Sequence, residues 1–254
     1  MATPSTRVTH APALDPEFRE SYFGNAGAGA ALAPELYAGT LRRLSWFLEI
    51  PRQRGFGLRT LERGLLRALD ILLGLTALLL LAPLLLVLAL VIKLDSPGPV
   101  IFRQWRVGMG QRHFRMLKLR TMAHESSPDG LSLTREKDPR VTRVGSFLRR
   151  HHVDEIPQFW NVVLGDMSIV GPRPEVPELA EVNRDNIRGY DDRMAVRPGI
   201  TGLAQITNGY DSSLDELRST VALDRHYIRH LCLGNYLMVL LRTVPVVLFS
   251  RGGI

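Results

Sequence analysis

Between Ile71 and Ile92 the chain carries no charged residue and consists almost entirely of Leu, Ala, Val and Ile. As a helix rising about 1.5 Å per residue, such a run matches the ~30 Å hydrocarbon core of a bilayer, so the chain is expected to be membrane-bound. Pro83 lies near its middle. A proline there deletes a backbone donor and crowds the preceding turn, so a bend is expected. Seven arginines between Arg42 and Arg67 precede the run, and Lys93, Arg103, Arg106, Arg112, Arg115, Lys118 and Arg120 follow it. Positive residues favour the cytoplasmic side, and a helix crossing once should be asymmetric. Equal basic flanks favour a re-entrant helix, broken at proline, that enters and leaves by one face. A Pro-kinked spanning helix is the other reading of this pattern.

The rest of the composition is that of a soluble domain. The 254 residues hold 32 Lys and Arg against 25 Asp and Glu, a net charge of +7, and the single Cys232 excludes an internal disulfide framework. A basic balance suits polyanions, whether nucleic acid, an anionic bilayer surface or phosphorylated small molecules. Mean hydropathy is nonetheless +0.01, because the apolar residues are concentrated in one place. Residues 1–60 are rich in Ala, Pro, Gly and Thr and read as a mostly disordered leader, with one short helical stretch near Leu36 to Ile50. They are not a signal peptide, since the apolar run begins too late and no cleavage pattern precedes it. Residues 61–95 form the membrane segment and 96–254 the remaining domain.

An α+β fold is expected beyond the membrane helix. Pro99 to Gln104 and Phe114 to Leu119 read as strands joined through Gly108-Met109-Gly110, a small β-hairpin. His124 to Pro139 reads as an exposed loop. Leu214, Leu217, Val221, Ile228 and Leu231 make a helical stripe, followed by an apolar stretch from Tyr236 to Phe249 that contains Arg242 and Pro245. The arginine favours an amphipathic helix lying in the membrane interface over a crossing; a packed core helix is the alternative.

The densest chemistry lies in DPRVTRVGSFLRRHHVDEIPQFWNVVLGDMSIVGPRPE, Asp138 to Glu175. Asp154 and Glu155 are adjacent, and neighbours in a helix point about 100° apart, so they are expected to have different tasks rather than share a proton. One can attack an electrophile while the other holds a divalent cation. A transition-metal site at His151-His152 is disfavoured, because no third ligand follows at metal-site spacing. Arg140, Arg143, Arg149 and Arg150 suit lipid or substrate phosphates, or a solvated face. Arg173, held between two prolines in Gly-Pro-Arg-Pro, suits a fixed phosphate ligand. Arg193 and Arg197 precede Pro198-Gly199-Ile200-Thr201-Gly202, a turn open to close anion approach. With Lys118, these three arginines form the candidate phosphate-binding set.

The ordered segments LDSPGPVIFRQWRVG, FRMLKLRTM, DPRVTRVGSFLRR, Asp154-Glu155, PQFWNVVLGDMSIVGPRPE and RPGITGLAQI resemble the bacterial sugar transferase family, the small monotopic polyprenyl-phosphate phosphoglycosyl transferases. The resemblance runs from about Leu65 to the C-terminus. It implies transfer of a sugar 1-phosphate from a UDP-sugar to undecaprenyl phosphate, releasing UMP and initiating a surface polysaccharide or glycan. It further implies that Asp154 is the nucleophile, that Glu155 works with it and with Mg²⁺, and that Arg173 binds phosphate. The implied setting is the bacterial inner membrane, with membrane lipids as partners and the site on the cytoplasmic face. Nucleic acid is not an expected partner, since the basic residues crowd an apolar anchor. A non-catalytic, lipid-binding adaptor is the competing class.

Overall fold

The computed structural model describes residues 44, 46–47, 56–123, 138–208 and 214–249. The rest of the leader and residues 124–137 of the expected loop lie outside the described residues. Helix α1, Phe56–Asp95, is helical throughout, Pro83 included. Its span Thr60–Asp95 is the one segment among the described residues long and apolar enough to cross a membrane, with a mean hydropathy of 3.0 in its most apolar window. The helix begins ahead of the 61–95 segment set by hydropathy, because Phe56 to Thr60 continue its turns.

After α1 the expected hairpin forms. Strand β1, Ile101–Val107, pairs antiparallel with β2, His113–Leu119, in a register that sets Phe102 against Lys118 and Arg106 against Phe114. A short 3₁₀ turn at Met109–Gln111 joins them, and Gly110 adopts φ 65°, the left-handed backbone that glycine takes without steric cost. Helix α2, Arg143–Arg150, starts where the Thr142 hydroxyl accepts the Gly145 amide at 2.9 Å, an N-cap that satisfies one of the first-turn donors. Helix α3, Gln158–Leu164, ends at Gly165, whose φ of 96° turns the chain out of the helix. Strand β3, Ser168–Val170, follows, then α4, Pro177–Asn186, and β4, Gly199–Thr201, which pairs with β3 in parallel. Helices α5, Leu203–Asn208, α6, Leu214–Arg229, and α7, Leu233–Phe249, complete the chain.

The predicted stripe on α6 is the one that packs. Leu214, Leu217 and Val221 are buried beside Leu179, Ile187 and Tyr190. The main core gathers Leu66, Phe114, Met116, Val162, Met167, Leu203, Leu223, Tyr227, Tyr236 and Val239, with Leu44 and Phe47 of the leader enclosed in it. A third cluster joins Ile92 to Leu119 and Leu148. Helix α7 has two sides: Tyr236 and Val239 are buried, while Leu237, Leu241, Val244 and Val247 are exposed. One face of α7 is therefore packed on protein and the other is apolar and exposed. Arg242 stacks over the Trp46 ring at 4.1 Å, which accommodates the charge without burying it.

Helix α1 packs on the domain along Leu66–Gly74 and again toward Ile92, and is more exposed between these stretches. In its first half, Arg67 donates to the Val162 and Val163 carbonyls at 2.6 and 2.8 Å, where α3 runs out of internal donors. At its far end, Arg120 donates to the Ile92 carbonyl at 3.2 Å and the Ser96 carbonyl at 2.5 Å, capping the negative end of the helix. Between these anchors Leu79 and Leu80 are 77% and 72% exposed, the surface expected of a segment immersed in lipid.

Asp70, only 3% exposed, ties three elements together. One oxygen, Oδ1, accepts from the Ser168 hydroxyl at 2.9 Å, the Ile169 amide at 2.8 Å and the Tyr236 hydroxyl at 2.7 Å. Asp70→Ala would strand three donors and is expected to cost about 3 kcal/mol or more, with Asp70→Asn milder because an acceptor oxygen remains. Thermal unfolding in lipid nanodiscs measures both.

Candidate active site

The site assembles where β2, the turn after α2 and the loop after β3 converge. Helix α2 ends at His151, and His152 takes φ 54°, a left-handed conformation that histidine enters more readily than most residues. That reversal starts a 3₁₀ turn over Val153–Glu155. The adjacent carboxylates therefore stand on a tight turn and not in the regular helix considered from sequence. They still meet different partners, as expected.

Glu155 Oε1 accepts from Lys118 Nζ and from Arg173 Nη2, both at 2.9 Å. Lys118 arrives from β2 and Arg173 from the Gly-Pro-Arg-Pro loop, so one oxygen joins elements 18 and 37 residues distant in sequence. Burial alone would raise the Glu155 carboxyl, but the two cations and their hydrogen bonds outweigh it and hold the group well below the usual carboxylate range. Glu155 is thus a fixed anion.

Asp154 is 6% exposed, and no hydrogen bond to it is formed among the described residues. Its nearest cation is Lys118, at 4.0 Å from Oδ2. Burial pushes its carboxyl above the ordinary value, Lys118 opposes that shift, and the Glu155 charge adds to it. A desolvated carboxylate that accepts no hydrogen bond keeps its lone pairs available for attack. The neighbours differ in chemistry because Glu155 takes the strong contacts and Asp154 does not.

Asn161 holds this geometry. Its Oδ1 accepts the Leu117 amide at 3.0 Å and its Nδ2 donates to the Arg115 carbonyl at 2.9 Å, so α3 occupies the free edge of β2 as another strand would. That contact fixes Lys118 relative to the turn just ahead of α3. The loop carrying Arg173 is seated on β4, where Gly171 and Gly199 meet backbone to backbone and a Cβ on either would collide with the other segment.

Of the candidate residues, Lys118, Asp154, Glu155 and Arg173 come together. Arg193 stands behind them, 6% exposed, with Nε on Asp224 at 2.7 Å, Nη1 on the Tyr190 hydroxyl at 3.1 Å and Nη2 on the Arg173 carbonyl at 3.1 Å. Arg197 donates to the Gly165 carbonyl at 2.9 Å. Arg149 bonds the Thr121 hydroxyl at 2.8 Å, and the His151 ring stacks on Phe147 at 4.4 Å. Sequence reasoning missed Asn161, Asp224 and a local role for Arg106. Asp224 had one signal: a carboxylate one residue past Leu223 in an otherwise apolar stripe.

No group of three or more His, Cys, Asp or Glu side chains able to hold a metal occurs among the described residues. Two adjacent carboxylates with only oxygen donors are the protein share that Mg²⁺ typically takes, the remainder coming from water and substrate phosphate, so Asp154 and Glu155 fit that ion and do not fit a zinc site.

The raised Asp154 carboxyl makes a stability prediction. Because the folded chain binds that proton more tightly than the unfolded one, ionising Asp154 costs stability as pH rises above the unfolded value near 3.8. Asp154→Asn is therefore expected to raise the unfolding midpoint at pH 7–8, with a gain that shrinks as the pH falls toward that value. Thermal unfolding of parent and variant across pH measures it.

The sequence profile described as bacterial sugar transferase matches residues 61–250. The UDP-N-acetylgalactosamine-undecaprenyl-phosphate N-acetylgalactosaminephosphotransferase of Aeromonas hydrophila is 42% identical over 186 residues, 73% of this chain and 44% of that protein. The UDP-glucose:undecaprenyl-phosphate glucose-1-phosphate transferase of Escherichia coli is 47% identical over 170 residues, 66% of this chain and 37% of its own length. Its namesake in Caulobacter vibrioides is 45% identical over 185 residues, covering 72% and 69%. The chain spans less than half the length of the first two relatives.

Proposed function

Because the chain belongs to the bacterial sugar transferase family, we propose that it transfers a sugar 1-phosphate from a UDP-sugar to undecaprenyl phosphate, releasing UMP. The observation that carries this reading is the pairing of a desolvated carboxylate, Asp154, which accepts no hydrogen bond among the described residues, with a neighbouring Glu155 that orders two cations beside it.

In the first step an Asp154 carboxylate oxygen attacks the phosphorus that bears the sugar. The bond from that phosphorus to the bridging oxygen breaks, UMP departs with the electron pair, and an aspartyl phosphosugar remains. In the second step a phosphate oxygen of undecaprenyl phosphate attacks the same phosphorus, returning the Asp154 carboxylate and leaving a diphosphate-linked lipid sugar. Charge builds on phosphoryl oxygens in both steps, and preorganised cations stabilise it without reorientation. Arg173 presents the planar donor fork suited to phosphate, and Lys118 supplies a point charge next to Asp154. Arg193 supports the same region from behind it through the Arg173 carbonyl, while Arg197 holds the Gly165 carbonyl at the end of α3. Asp154 and Glu155 would hold Mg²⁺, which neutralises diphosphate charge when bound.

The membrane arrangement follows the acceptor's chemistry. An isoprenoid phosphate stays in the bilayer with its headgroup at the surface, so the site must rest there. Two stretches of α1 pack against one body, Asp70 on β3 and Ile92 on Leu119 and Leu148, which supports a re-entrant anchor with its tip near Pro83. From Ile71 to Pro83 the limb is about 18 Å long, short of a ~30 Å core. On this reading the domain lies at the cytoplasmic face of the inner membrane.

Asp154→Asn is expected to lower UMP release from the accepted UDP-sugar by at least ~10³-fold, by loss of the nucleophile. In the same assay the parent enzyme should lose activity to EDTA and regain it with Mg²⁺. UMP release by Asp154→Asn at the parental rate would remove the covalent step.

Topology is checked separately. Thr60→Cys and Arg112→Cys flank the anchor at exposed positions, and both are expected to react with a membrane-impermeant maleimide from the cytoplasmic side alone. Labelling from opposite sides would mean a spanning helix.

A further inference from the structure

The segment Gly171–Glu175 is tethered at every residue. The Gly171 amide donates to the Thr201 carbonyl at 2.8 Å, and the Pro172 carbonyl accepts the Gly199 amide at 2.9 Å. The Arg173 carbonyl accepts Arg193 Nη2 at 3.1 Å, the Pro174 carbonyl accepts Arg106 Nη1 at 3.1 Å, and the Glu175 carbonyl accepts the Val107 amide at 2.9 Å. Prolines have no amide hydrogen, so a loop built on two of them can be held there only through its carbonyls. The two central carbonyls, on Arg173 and Pro174, are held by side chains, and both side chains are guanidiniums.

Each guanidinium is anchored at its other end. Arg193 bonds Asp224 and the Tyr190 hydroxyl, and its planar group lies 5.1 Å from the Tyr190 ring. Arg106 donates through Nη2 to Gln104 Oε1 at 2.7 Å and lies 3.9 Å from the Glu175 carboxylate. A forked, planar donor can bridge two acceptors at a set separation, which a lysine ammonium on a flexible stem does poorly. Arg193 directs its bonds into protein, so its proximity to the site is expressed through Arg173.

We propose that Arg106 and the Arg193–Asp224 pair are positioning residues for Arg173, clamping the backbone of its loop from two sides so that its guanidinium stays fixed beside Glu155 and Asp154. The reaction needs Arg173 in one place while phosphate charge shifts between bonds, and a displacement near 1 Å costs on the order of 100-fold in rate. The clamp rests on the reading of Arg173 as a phosphate-binding residue given above.

A double-variant cycle on UMP release by the full-length enzyme in nanodiscs tests it. Arg106→Gln keeps a short polar group but loses the fork, and is expected to lower kcat/KM for the UDP-sugar by about 10- to 100-fold, with KM for undecaprenyl phosphate and the thermal midpoint nearly unchanged. In an Arg173→Ala background the same change is expected to add less than about twofold, since a residue acting only through Arg173 has nothing left to position. Arg106→Lys should restore part of the loss. Asp224→Asn is the second arm; if burial of an unpaired Arg193 prevents folding, the Arg106 cycle decides alone. Losses that multiply in the double variant, or parental kinetics for Arg106→Gln, would overturn the clamp. Parental kinetics for Arg173→Ala would instead overturn the reading of Arg173 on which it rests, and the clamp with it.

Discussion

A single buried carboxylate joins the long apolar helix to the candidate site. Asp70 lies in the first half of α1, and its Oδ1 receives hydrogen bonds from Ser168 and Ile169 of β3 and from Tyr236 of α7. Strand β3 runs directly into the loop that carries Arg173, and α7 is the helix with an exposed apolar face. Helix α1, the loop that carries Arg173 and α7 are therefore tied to one another through one atom. A buried charge with three donors is tolerable where a bare one is not, and the geometry is specific because every donor must be in place.

The site itself depends on an asymmetry between neighbours. Glu155 is stabilised as an anion by Lys118 and Arg173, while Asp154, one residue earlier, is desolvated and has only Lys118 at 4.0 Å. Lys118 thus serves a structural anion and also stands next to the proposed nucleophile. Were Arg173 free to swing, Glu155 would lose half its compensation. Much of the domain behind the loop accordingly restrains backbone: Asn161 on the edge of β2, Gly171 against Gly199, and the guanidiniums on the Arg173 and Pro174 carbonyls.

What could be read from the residues follows from how local each signal is. The apolar run, the hairpin around Gly108 to Gly110 and the α6 stripe are periodic patterns within one element, and each reappears in the structure. Asp154, Glu155 and Arg173 stand out because unusual residue types cluster within a short stretch. Arg193 and Arg197 were legible as basic residues near a glycine turn, but which way a guanidinium points depends on partners such as Asp224, 31 residues away. Asn161 was not legible at all, since an asparagine inside a helix has no local reason to bond a strand edge.

The sequence by itself determined that the chain carries one long apolar helix, where its hairpin and the α6 stripe fall, and that two adjacent carboxylates and a proline-flanked arginine stand out in one short stretch. Hydropathy, proline and glycine act over a few residues, so they can be read in one dimension. The tertiary structure alone decided which carboxylate is paired and which is left bare, that two separate stretches of α1 meet one body, and that two arginines hold a loop. Those outcomes turn on hydrogen bonds between groups as much as 166 residues apart, as between Tyr236 and Asp70. Direction and distance at that range exist only once the chain has closed on itself.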